Sequence, residues 1–190
     1  MPYAELVRQY LPPAPQHGLY VAPDVPAAKL EGALRDYAPG VEPAEVLALY
    51  DNTLLGSAKD GAVFLGDRFV FQNTDLDAPQ TVRYDDVVEA RVRRTLLGAA
   101  RVELEVNRGR ATVTERLDCS PHPEAAAYIA RFLGEVVVAS SSQIELGTAP
   151  PIAPAPAATD RRAVEAALAE LERAGRLAPE DRRRMLAALG

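Results

Sequence analysis

The chain has 190 residues, of which 48% are hydrophobic and 25% charged, with a formal net charge of -6. That length holds one domain, or one plus a small appendage, and suffices for a real core. No run approaches the roughly 20 apolar residues of a membrane span, no basic-then-apolar leader opens the chain, and the acidic balance argues against nucleic-acid binding. The single cysteine, Cys119, makes no internal disulfide and points to a cytoplasmic setting.

Tyr3, Leu6, Val7, Tyr10 and Leu11 fall on one helical face, which Pro12-Pro13 ends. A second helix is predicted from an Asp24 N-cap, with Pro26 in its first turn, Leu30, Leu34 and Tyr37 on one face, and Pro39-Gly40 as the stop. These make a 1–45 segment expected to pack on the main body. From Val46 the apolar period falls to two. Strands are predicted at Val46–Tyr50, Ala62–Leu65, Arg68–Gln72 and Thr81–Tyr84, with Gly66-Asp67 as a type II′ turn between the second and third.

Val88–Arg93 and Arg101–Val106 alternate cleanly. A register whose paired numbers sum to 196 sets Val92 opposite Leu104, Ala90 opposite Val106, Arg91 opposite Glu105 and Arg93 opposite Glu103, aliphatics on one face and opposite charges on the other. Asn107–Arg110 turns into Ala111–Leu117, with Ala111 and Val113 facing Val106 and Leu104. A helix capped by Ser120, with Pro121 in its first turn, then presents Ala126, Ile129, Phe132, Leu133, Val136 and Val137 on one side. The expected fold is α+β: a seven-stranded antiparallel curled sheet or barrel over 46–138, closed by that helix.

Residues 139–159, rich in Ser, Ala and Pro, read as a linker, extended where prolines 150, 151, 154 and 156 recur. The 160–190 tail carries seven arginines and six acids, so its net charge of +1 leaves -7 upstream. It reads as two short helices. Val164, Leu168 and Leu171 line the first, Gly175 stops it, Leu177 bridges, and Met185, Leu186 and Leu189 line the second. About 30 residues build no stable core alone, so Leu168, Leu171, Leu177, Leu186 and Leu189 are expected to dock on a partner, a second copy or the main body.

Two stretches carry a resemblance. Asp51-Asn52-Thr53-Leu54-Leu55-Gly56-Ser57-Ala58-Lys59-Asp60-Gly61 resembles the segment joining the first two strands of bacterial pleckstrin-homology-like (PH-like) domains, related in design to GRAM domains. Thr81-Val82-Arg83-Tyr84-Asp85-Asp86-Val87 resembles a later strand of the same domains. The tail's Leu-x-x-Leu-x-x-x-Gly-x-Leu-x-x-Glu-Asp pattern resembles the SHOCT helical hairpin, with Ala178 and Arg182 where a hydroxyl and an aromatic residue are usual. The resemblance implies a PH-like domain with a tethered helical hairpin; two foldable units, a proline spacer and no catalytic set point to a binding module rather than an enzyme.

The residues themselves carry little catalytic chemistry. Cys119 and His122 make a Cys-x-x-His pair, but the other histidine is His17 in a Pro-rich stretch, and two ligands do not make a zinc site. Ser57 and Lys59 lack the usual Ser-Lys spacing, and Asp75, Asp77, Asp85 and Asp86 lack the spacing of a calcium loop. No glycine-rich nucleotide motif occurs, so neither metal nor cofactor is expected. Arg91, Arg93, Arg94, Arg101, Arg108, Arg110 and Arg116 crowd a short stretch against Glu103, Glu105 and Glu115. Arg94, Arg101, Arg108 and Arg110, with Lys59, are the candidates for an anionic partner. The expected function is non-catalytic protein binding by the domain, with oligomerisation or docking through the hairpin; the alternative is anionic lipid at the arginine-rich loops.

Overall fold

The computed structural model describes residues 3–147 apart from Leu97, with side chains described as far as Ser141. The chain divides into two compact units, Met1–Glu145 and Leu146–Gly190. The first is described below; the expected helical hairpin and the proline-rich part of the linker lie outside the described residues.

The helices are α1 (Tyr3–Tyr10), α2 (Ala27–Asp36) and α3 (Ala125–Gly147). The strands are β1 (Leu19–Val21), β2 (Ala48–Asp51), β3 (Gly61–Phe64), β4 (Arg68–Gln72), β5 (Gln80–Arg83), β6 (Val87–Arg94), β7 (Ala100–Asn107) and β8 (Thr112–Asp118). They form two antiparallel meanders, a five-stranded sheet in the order β1-β2-β3-β4-β5 and a three-stranded sheet in the order β6-β7-β8. The sheets do not close into a barrel.

The five-stranded sheet is covered on both faces. Its inner face contributes Tyr50, Phe64, Phe69, Phe71 and Val82 to a core shared with Val102, Leu104, Val106 and Leu117 of the other sheet and with the α3 stripe Ala126, Ile129, Phe132, Leu133 and Val136. Phe132 meets Phe64 and Tyr84 edge-on, with ring centroids 5.8 and 5.5 Å away, geometries that suit the aromatic quadrupole. The outer face packs Leu49, Val63, Leu65 and Val70 against Ala33, Tyr37 and Ala38 of α2 and its end. Double coverage explains why β2 and β3 are buried at every position and read as apolar runs rather than alternations.

α1 buries Tyr3, Leu6 and Val7 as its periodicity predicts. Its Tyr3 hydroxyl bonds Asp85 and lies 2.8 Å from Ser140 Oγ on α3. The second helix differs at its start. Val25 precedes a proline and is pushed toward extended backbone, so the helix opens after Pro26, without a side-chain cap, and Asp24 lies in the preceding turn.

Other expectations need correction. Among the described residues there are eight strands: seven lie within the expected 46–138 span, and Leu19–Val21, which was not expected, pairs with β2 as an eighth; three residues among prolines show no period to read. Gly66 has no positive φ, so the β3–β4 turn is not type II′. In the three-stranded sheet Ala90 faces Leu104, Val92 faces Val102 and Arg91 faces Glu103, a register displaced by two residues from the expected one. The β7–β8 register is displaced likewise, with Val106 opposite Val113. A shift of two preserves every side chain's face, whereas a shift of one would invert it; alternation therefore reads the face correctly and leaves the offset undetermined. A bulge between Val87 and Glu89 buries Val87 and exposes Val88, the reverse of the alternation read there.

α3 starts at Ala125, not at Ser120, whose Oγ and N–H both bond Asp118 Oδ1 in the preceding turn. It also runs past Val138 through residues that read as linker. Ser140 and Ser141 donate to the carbonyls of Val136 and Val137 at 3.0 and 2.9 Å, the four-back bond that satisfies serine within a helix. No helix among the described residues is long and apolar enough to cross a membrane.

Asp51 joins the layers. Its side chain is 3% exposed; Oδ2 lies 2.5 Å from Lys29 Nζ of α2, and Oδ1 accepts from Thr53 N–H, Thr53 Oγ1 and Ala58 N–H. Asp51→Ala leaves the Lys29 ammonium without its carboxylate and the Thr53 amide without its acceptor, and the Ala58 amide with Thr53 Oγ1 alone. Urea unfolding should show a loss of about 3–5 kcal/mol, and Asp51→Asn, which keeps an acceptor oxygen, a smaller one.

Candidate functional site

The five predicted cationic positions do not form one site. Lys59, on the β2–β3 loop, borders an open hollow of about 480 Å³ with Arg35, Asp36, Asp75 and Asp77. Arg94 and Arg101 line a second hollow, of about 440 Å³, where the β6–β7 hairpin turns. Arg108 and Arg110 flank the β7–β8 turn, at the far end of β7 and on the order of 20 Å away along the strand.

At the first end of that hairpin the register sets Arg93 directly opposite Arg101, a like-charge pair that costs free energy unless neutralised. Glu103 neutralises it. Arg93 Nε donates to Oε2 at 3.0 Å, Arg101 Nη2 to Oε1 at 2.8 Å, and Arg116 Nε stands 3.8 Å from Oε1. Hydrogen bonds from Arg93 and then Arg101 hold the Glu103 carboxyl below the usual glutamate range. Arg94 turns aside to Glu124 at 3.1 Å. The tip of the turn carries Leu96, fully exposed. Residue types predicted Arg94 and Arg101 here, and the expected register already paired Arg93 with Glu103; the opposition of Arg93 to Arg101 and the approach of Arg116 to Glu103 followed only from the true register.

A second feature was not foreseen. The hydrogen-bonding pattern turns the peptide groups of Thr112, Thr114, Arg116 and Asp118 away from β7, because the Cys119 N–H donates to the Ala100 carbonyl and the Arg108 N–H to the Ala111 carbonyl, which puts the odd residues of β8 in the ladder with β7. The same reasoning turns Thr81 and Arg83 away from β4. Two free strand edges, β5 and β8, thus border an open seam. Side chains bridge it. The Asn73 amide donates to the Arg116 carbonyl and accepts from the Asp118 N–H, both at 2.8 Å. Arg108 Nη1 donates to the Thr81 carbonyl at 3.2 Å, and its Nη2 lies 3.3 Å from Glu115 Oε1. Between these bridges lies a groove of about 290 Å³, bordered by Phe71, Asn73, Ala78, Gln80 and Thr114. An asparagine following a strand and a β-prone Thr-Val-Thr were the only hints in the sequence.

The other chemical candidates resolve into structure. Ser57 N–H donates to Thr53 Oγ1 inside the β2–β3 loop. His122 N–H donates to the Cys119 carbonyl in a turn, and Cys119 itself is fully buried. Among the described residues no group of three His, Cys, Asp or Glu side chains could hold a metal ion.

Burial pushes the Cys119 thiol up to about 12, so it is neither ionised nor reachable in the folded state. A thiol-reactive disulfide reagent should leave it unmodified in native protein at mildly alkaline pH and react once the chain is unfolded; fast native-state labelling would contradict the burial. Comparison of the chain with family models, with curated proteins and with solved structures finds no match.

Proposed function

We propose that the 46–147 region is a non-catalytic, PH-like binding domain that recognises protein through an exposed strand edge, and that the 160–190 segment is a SHOCT-like hairpin serving oligomerisation or docking. The order of successive hairpins followed by one long apolar-faced helix supports the domain reading. The observation that carries the binding reading is the seam between β5 and β8, where main-chain donors and acceptors are met by side chains from neighbouring loops instead of by another strand. Strand edges of this kind bind extended peptides through main-chain hydrogen bonds, while flanking side chains give selectivity. A tethered second module would raise the local concentration of whatever the domain binds.

The hairpin's part is tested by light scattering on the full chain and on a version ending at Gly147, which retains all of α3 including the Ser140 contact to Tyr3. The shortened chain should lose self-association; an unchanged mass removes the hairpin from that role.

A second reading rests on a different observation. Leu96 stands exposed at the β6–β7 tip beside Arg93, Arg94 and Arg101, the combination of an apolar point and cationic flanks that suits a shallow anionic bilayer surface. On this reading the chain floats with phosphatidylserine vesicles at low salt and is released at moderate salt, because screening weakens the attraction. Absence of flotation at low salt rejects it.

A further inference from the structure

We propose that the β6 edge pairs antiparallel with the β6 edge of a second copy of this chain, with Ala90 at the two-fold axis. The inference goes beyond the protein-binding reading above and does not rest on it.

The edges of the two sheets are not equally available. β1 has three residues, and its Leu19 is already bridged to Ala14. β5 and β8 face each other across the seam, where Arg108 occupies the Thr81 carbonyl and Asn73 occupies the Arg116 carbonyl and the Asp118 N–H. Short strands and covered edges are devices that prevent pairing. β6 has eight residues, and past its bulge the register with β7 is regular from Glu89 to Arg94. Thr95 N–H donates to the Ala99 carbonyl at 2.8 Å, so the ladder bonds to β7 fall at Arg93, Arg91 and Glu89. The peptide groups of Ala90, Val92 and Arg94 therefore point away from β7 and meet no partner among the described residues. Solvent reaches this edge: Ala90 and Val92 are half-buried, whereas Leu104 and Val102 opposite them are fully buried.

Charge selects the occupant. The turn into β6 and the strand itself begin with Asp85, Asp86 and Glu89 and end with Arg91, Arg93 and Arg94. A strand acidic at one end and basic at the other complements its own copy when antiparallel and repels it when parallel. With Ala90 on the axis, Glu89 lies opposite Arg91 of the second copy, twice by symmetry. Arg93 and Arg94 then approach the acidic Asp85-Asp86 turn of the second copy. Other registers fail: dry face must meet dry face, so only shifts of two residues remain. Centring on Glu89 opposes two glutamates, and centring on Arg91 opposes two arginines.

The contacts already made leave room for this pairing. Glu89 and Arg91 bond each other along the strand and keep 49% and 51% of their side-chain surface exposed. Two copies therefore set four charges of alternating sign around the axis. On β7, Glu105 stands directly opposite Glu89, a like-charge opposition that a second arginine relieves. Arg93 bonds Glu103 and Arg94 bonds Glu124, and both arginines remain exposed with guanidinium donors to spare. Asp85 accepts from the Tyr3 hydroxyl through Oδ1, and its Oδ2 lies 3.9 Å from Arg83. One strand pair falls short of the roughly 1,000 Å² of a stable interface. The contact is thus weak in dilute solution and forms where chains are concentrated or already held together.

The test is disulfide trapping in the full chain at high chain concentration. Ala90→Cys places two thiols across the axis, at a strand spacing a disulfide can bridge, while the native Cys119 is fully buried. Mild oxidation should give a covalent dimer on a non-reducing gel. Adding Glu89→Arg or Arg91→Glu to Ala90→Cys should each lower its yield about fivefold, since like charges then meet at the axis. Mixing those two variants should restore the yield, because each supplies the sign the other lacks; altered folding of either chain could not produce that rescue. Equal yields in all samples, or a mixture no better than its components, overturn the proposed register and its charge basis. Absence of the disulfide overturns the β6 pairing itself, whether or not the chain self-associates through its tail.

Discussion

The Asp51 carboxylate ties α2 to the five-stranded sheet and to the β2–β3 loop. It sits at the end of β2, receives the Lys29 ammonium from α2, and closes the β2–β3 loop by accepting from Thr53 and Ala58. A buried ion pair gives little net stability, because desolvation of both charges offsets their attraction. Its contribution is to position. Lys29 also donates to the Gly56 carbonyl, and α2 comes so close to the loop that a β-carbon on Gly32 would lie 2.3 Å from the Ser57 carbonyl. Ala58 adopts a left-handed φ of 52° there, a conformation of appreciable cost to a non-glycine residue. The surrounding bonds hold it in place.

With α2 fixed on the outer face, the five-stranded sheet is dry on both sides. The three-stranded sheet is dry on one side only, and its outer face carries the arginines and glutamates. This asymmetry separates the two kinds of surface on the unit. Where the sheets approach without pairing, at β5 and β8, the backbone itself is presented. Where the β6–β7 hairpin turns, charge is presented.

The charged face shows how one carboxylate can organise several cations. Opposed Arg93 and Arg101 would repel across the strands, yet both bond Glu103, with Arg116 beside them. The expected Arg93–Glu103 contact therefore exists, although as a diagonal neighbour and not as a directly opposed pair. Arg91 bonds Glu89 on its own strand at 2.5 Å instead of Glu105 across the sheet. Long flexible side chains can reach a partner from more than one register, which is why charge pairing was a weak guide to the offset.

Much of the unit was legible in the residues. The faces of α1 and α3, the antiparallel hairpins from Ala48 onward and the alternation of β7 follow from the spacing of apolar side chains, since burial of one face is a local pattern written along the chain. What tertiary structure alone decided has a common physical reason: it depends on neighbours distant in sequence. β1 exists because β2 offers it a partner. The two-residue offsets in β6–β7 and β7–β8 leave every face unchanged, so no pattern within the strands could reveal them. The seam arises because two edges approach without pairing and Asn73 reaches across to residues 43 and 45 positions away. Residue spacing set which side of each element is wet or dry; only the packing of the sheets set which edges are left open.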